Sequence, residues 1–110
     1  MPSIQRLNVL KTTESIFELD GDLLFDATAH DYLASVIATN TLASAGSLFV
    51  YIVPENETVE SNYGLIAYNL TISGYNTYET FRFAINQGDQ LYVAGSQGIA
   101  YYLQGIEQAS

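Results

Sequence analysis

The sequence predicts an all-β domain, an antiparallel β-sandwich of the Greek-key or jelly-roll kind with about eight short strands. Three observations predict it. Turn signals recur at short, even intervals, with no helix-length periodic run between them. Nine Tyr and five Phe accompany many Val, Ile and Thr, the composition that suits a pleated sheet. The connections are too short for the crossovers that a parallel α/β fold needs. A closed barrel is the main alternative.

Residues 1–14 read as an N-terminal arm or an edge strand, because Ile4 to Leu10 alternates only mildly. Residues 15–110 read as a single sandwich domain, of a length that can close one hydrophobic core. Within it, Ser15–Leu19 and Asp22–Phe25 flank Asp20-Gly21, which predicts a hairpin with a type I′ turn. A short helix is possible between Thr28 and Leu33, but a strand from about Tyr32 to Thr39 is the better reading. It places Leu33, Ser35, Ile37 and Thr39 on one face. Asn40 to Gly46 is a loop.

Ser47–Val53 is apolar on both faces, with Leu48, Val50 and Ile52 on one and Phe49, Tyr51 and Val53 on the other. Such a strand is expected to be covered on both sides, by the core and by something else. Pro54 stops it, and Glu55 to Asn62 is an acidic loop. Strands follow at Gly64–Thr71, Thr77–Ala84, Leu91–Ala94 and Ile99–Ile106, with turns at Ser73–Asn76, Asn86–Asp89 and Gly95–Gly98. Tyr101 and Tyr102 point to opposite faces, so one belongs in the core and the other outside.

The charge balance narrows the function. Twelve acids stand against three bases, Arg6, Lys11 and Arg82, for a formal net charge of −9. Three cations do not neutralise a phosphate backbone, so neither nucleic acid nor an anionic membrane is expected as a partner. No apolar run reaches the ~20 residues of a membrane span, and the first residues lack a secretory signal. Glu14, Glu18, Asp20, Asp22, Asp26 and Asp31 crowd one stretch. That is either a solvated, repulsive face or a patch that docks on a basic partner. Charged residues are only 14% of the chain, and charge depletion is a mark of interface cores.

No chemistry-bearing constellation emerges. The single His, His30, has no nucleophile-elbow motif to serve and reads as a loop residue. The acids around Asp20-Gly21-Asp22 lack the alternating oxygen ligands of a calcium loop, because Leu23, Leu24 and Phe25 follow. With no Cys there is no thiolate zinc site. No catalytic, cofactor-binding or metal-ligating residue is therefore assigned, and no enzyme activity is expected. Asn56-Glu57-Thr58 and Asn69-Leu70-Thr71 match the glycosylation triplet by chance in a chain with no secretory signal. Arg82, between Phe81 and Phe83, is expected to clamp an acid inside the fold or across an interface.

From Tyr32 onward the chain resembles small β-sandwich virion proteins of tailed bacteriophages, of the cyanophage kind. The residues that carry the resemblance are Ala38-Thr39-Asn40, Leu48 through Pro54, Ala67-Tyr68-Asn69-Leu70, Gly88 through Ala94 and Gly105-Ile106-Glu107. It runs from about Tyr32 to Glu107. The resemblance implies a virion component assembled in the host cytoplasm: a capsid decoration or cement protein, or else a tail, neck or baseplate accessory. It implies a major capsid protein or other virion proteins as partners, a homotrimer as the working form, and no cofactor. A carbohydrate- or receptor-binding module is a further alternative, motivated by the Tyr-rich second half. The protein interface is expected at Ile4, Arg6 and Leu7 of the arm, Phe49, Tyr51 and Val53 of the doubly apolar strand, Glu57 of the acidic loop, and Arg82.

Overall fold

The computed structural model describes residues 3–18, 21–57 and 64–108. Nine strands follow in chain order: β1 (Gln5–Lys11), β2 (Asp22–Asp26), β3 (Asp31–Asn40), β4 (Gly46–Val53), β5 (Gly64–Ile72), β6 (Thr77–Glu79), β7 (Phe83–Ile85), β8 (Gln90–Gly95) and β9 (Ile99–Gln108). No helix occurs among the described residues. They form two antiparallel sheets. The first has the order β1-β9-β3-β6, with β7 also paired to β3, and the second has the order β2-β8-β4-β5.

The pairings are nested: β4 with β5, β3 with β6 and β7, β2 with β8, β1 with β9. A long hairpin rolled up on itself gives that nesting. With β6 and β7 counted as one interrupted strand, the result is an eight-stranded jelly roll. The expected sandwich is present.

The core follows the alternation of the strands. Ala34, Val36 and Ala38 of β3 face Leu48 and Val50 of β4, with Leu91, Val93, Ile99, Tyr101 and Leu103 completing the layer between the sheets. Asn40 ends β3 inside this layer. Its Nδ2 donates to the Ser44 carbonyl at 2.9 Å and its Oδ1 accepts the Leu42 amide at 3.0 Å. A buried amide with both ends satisfied fixes the following loop where an apolar residue could not.

Tyr101 is core and Tyr102 is partly exposed, as adjacent residues of one strand require. The Tyr101 hydroxyl donates to the Ala94 carbonyl at 3.2 Å. Burial, with Asp22 nearby, raises its pKa well above the ordinary tyrosine value. Above pH ~10 an unfolded tyrosine releases its proton while folded Tyr101 keeps it, so stability falls as pH rises. Tyr101→Phe is therefore expected to flatten the alkaline arm of a urea-midpoint-versus-pH curve. An unchanged slope between neutral and alkaline pH would refute this.

Three sequence expectations are corrected. The first is the hairpin. Asp22–Asp26 pairs with β8, and Ile16 forms an isolated bridge to Gly95 of β8. Leu19 and Asp20 lie outside the described residues. The turn expected at Asp20-Gly21 therefore falls outside the described residues, and what the structure shows is that the two flanking runs both meet β8. The missing side chain of Gly21 serves close approach, since a Cβ would collide with the Val93 carbonyl. The second is the strand Thr77–Ala84, which is broken. Thr80 turns inward, where its amide donates to the Val36 carbonyl at 3.0 Å and its Oγ1 accepts the Val36 amide at 2.9 Å. One residue thus takes both backbone groups of Val36, and Phe81 and Arg82 are pushed out. The third is the internal clamp expected of Arg82, which is exposed and makes no ion pair among the described residues; the alternative, a clamp across an interface, is untouched by this.

Candidate interaction surface

No group of three or more His, Asp or Glu is placed to hold a metal ion among the described residues. His30 Nε2 meets Glu107 Oε1 at 2.9 Å, tying the loop after β2 to the end of β9. A small polar pocket of about 260 Å³ lies between the loops at one end of the sandwich. Its groups are mostly spent on each other: Ser15 Oγ accepts the Gln97 amide and Ser96 Oγ accepts the Ser47 amide, both at 3.0 Å. No aromatic ring lines it among the described residues, so it lacks the stacking platform a sugar would use.

The residues named from sequence lie on different sides of the molecule. Phe49, Tyr51 and Val53 are on the outer side of the second sheet and buried there by the chain itself, with Ile16 and Tyr92 packed over them. Tyr51 stacks on Tyr92 with ring centroids 5.6 Å apart, and Phe49 meets Tyr68 edge to face at 5.3 Å. The "something else" expected over this strand is the segment that follows β1. Glu57 is exposed in the loop after β4, and its amide donates to the Pro54 carbonyl. Ile4 is exposed ahead of β1, whereas Leu7 sits at the β1 bulge and packs on the core. Arg6 lies on the outer side of the first sheet, and Arg82 at that sheet's far edge.

That outer side is the surface that remains open. The register aligns Val9, Tyr102, Ile37 and Glu79 in one row, and Lys11, Ala100, Thr39 and Thr77 in the next. Between β1, β9 and β3 these rows form an open apolar groove of about 410 Å³. Val9 is 53% exposed and Tyr102 39% exposed. Arg6 and Lys11 flank the groove from β1. The interruption at the opposite edge of the sheet presents Arg82 and Phe81, the latter 91% exposed. Every base of the chain is thus on this sheet, and Glu79 is the only described acid in the two groove rows. The sequence held part of this signal, because Ile37 and Thr39 share a face and one of Tyr101 and Tyr102 had to be outside. It did not say that β1 would join β9 and bring Val9 alongside.

No known protein family and no curated protein matches the sequence. Solved structures do match. A chain of the T13 particle of IBDV, an icosahedral virus, superimposes with a TM-score of 0.54 at 12% identity, over 96% of this chain and 31% of that one. This protein shares the β fold of that viral-particle chain. A chain of the Gx strain of infectious bursal disease virus superimposes at 0.48 with 9% identity, over 96% and 32%. This sandwich therefore spans about a third of the length of the particle chain whose fold it shares. Neither match comes from a tailed bacteriophage, so the phage resemblance rests on the strand-and-turn segments of the sequence alone.

Proposed function

We propose that this chain is a non-enzymatic virion structural protein that decorates a capsid shell and stabilises it by protein–protein contact. The observation that carries the reading is the open groove on the first sheet. A monomeric protein rarely leaves apolar side chains contiguous on a sheet face without a use for them. Here they are framed by the only cations of a strongly acidic chain, which gives a docking face both apolar area and a charge signature. The fold shared with a viral-particle chain supports the setting, and repetition on a shell would multiply a weak contact. A homotrimer and a major capsid protein partner belong to the same proposal.

The test uses purified particles. Shell-like copy numbers by mass spectrometry, with density on the capsid exterior by cryo-electron microscopy, are expected. A handful of copies at a vertex would move the chain to a tail, neck or baseplate, and no copies would end the virion reading. Val9→Asp should abolish retention on particles. It should lower the folding stability by no more than about 1 kcal/mol, the span of strand propensity, because Val9 is half exposed on an edge strand.

A further inference from the structure

We infer that the groove on the first sheet receives a second copy of this chain, through the acidic residues 14–18 that follow β1. The inference rests on the docking role given to the groove above and names the partner. The decisive feature is charge. Arg6 and Lys11 flank a groove whose apolar floor is Val9, Ile37, Ala100 and Tyr102. The same chain carries its complement elsewhere. Phe17 is 58% exposed, and Glu14 and Glu18, exposed as well, stand beside it in sequence.

Phe17 and Glu18 follow directly on the Ile16 bridge, so the β8 edge carries them as a short ridge. Ile16 lies opposite Gly95 and Asp22 opposite Val93, two positions apart on β8. Phe17 stands at this edge in the company of the exposed Glu14 and Glu18. Groove and ridge belong to different sheets, so one copy does not satisfy its own groove. An apolar anchor ringed by acids matches an apolar slot ringed by bases in both respects, and rim charges of opposite sign set the register and the encounter rate.

Such a contact is heterologous: the ridge of one copy meets the groove of the next, and the assembly closes as a ring or continues as a filament. This separates it from a two-fold dimer, in which the same patch meets itself.

The experiment is sedimentation velocity on the full-length protein. The wild type is expected to sediment above its 12.1 kDa monomer mass. It should dissociate as salt rises, since the rim pairs are screened. A groove variant, Lys11→Glu with Arg6→Glu, and a ridge variant, Phe17→Asp, should each be monomeric with unchanged circular dichroism. Mixing the two leaves one intact groove facing one intact ridge, so a 1:1 heterodimer that grows no further is the expected result. A chain combining Lys11→Glu and Arg6→Glu with Glu14→Lys and Glu18→Lys should regain association, which tests the charge pairing without touching Phe17. A monomeric wild type, a mixture that stays monomeric, or an associating ridge variant overturns the inference. A monomeric wild type that still coats particles removes this inference alone. An associating wild type found on no particle removes the virion reading alone.

Discussion

Tyr51→Ala is expected to cost about 3–5 kcal/mol of folding stability, the range for truncating a buried aromatic side chain to alanine. Its ring is fully buried, stacks on Tyr92 and sits in the second cluster with Phe49, Val53 and Ala94. Its hydroxyl also accepts the Gly21 amide at 3.2 Å, which ties the entry of β2 to the middle of β4. Alanine would remove the ring from both contacts and leave a cavity under the segment after β1. For a domain this size the total stability is about 5–15 kcal/mol, so a large share is lost. The urea midpoint should fall accordingly, and Tm by roughly 10–30 °C. Tyr51→Phe keeps the ring, so its cost should be limited to about 0.5–1.5 kcal/mol for the hydroxyl's bond. The pattern decides what the outer side of β4 is for. If it were a docking face, Tyr51→Ala would spare the melt and weaken only assembly.

That side of β4 also shows what a sequence can and cannot disclose. Two apolar faces on Ser47–Val53 mean two covers, and both are there. Which polypeptide supplies the second cover depends on where the residues between β1 and β2 travel, and no local pattern records that path. The pairing expected on either side of Asp20-Gly21 is replaced for the same reason. A turn dipeptide between apolar runs states a local preference. The jelly roll instead pairs strands far apart in sequence, so Asp22–Asp26 finds β8 and the 12–18 segment bridges to Gly95. Individual strands were legible because alternation, β-branched residues and proline stops act within a few residues. Thr80 defeated even that rule: a threonine hydroxyl can replace a ladder partner, and only the neighbouring Val36 reveals that it does. The groove was half legible. The face of β3 could be read from Ile37 and Thr39, but its flanking by Arg6 and Lys11 is a product of the β1–β9 register.

Gly95→Val should be as damaging as the loss of the Tyr51 ring, at about 3–5 kcal/mol, although it adds atoms and removes none. Gly95 has φ +124°, a conformation that side-chain-bearing residues rarely adopt. A Cβ there would lie 2.8 Å from Leu48 Cα and would collide with the Ser47 carbonyl oxygen, so neither the backbone nor the space accepts it. Gly95 is also the fixed point of the segment after β1. The Ile16 amide donates to its carbonyl at 2.8 Å, and its own amide donates to the Ile16 carbonyl at 2.5 Å. Forcing β8 away from β4 at this position frees Ile16, and with it the cover over Phe49 and Tyr51. Hydrogen exchange should show the Ile16 and Gly95 amides losing protection before those of β3 and β9. Gly95→Ala tests both causes together, because each acts through the Cβ. It should already impose most of the cost, and a melt equal to wild type would mean that neither strain nor collision operates here. The ridge of Phe17 and Glu18 rides on the same anchor. In conditions where Gly95→Ala remains folded, it should also lose self-association, through a glycine that no partner touches.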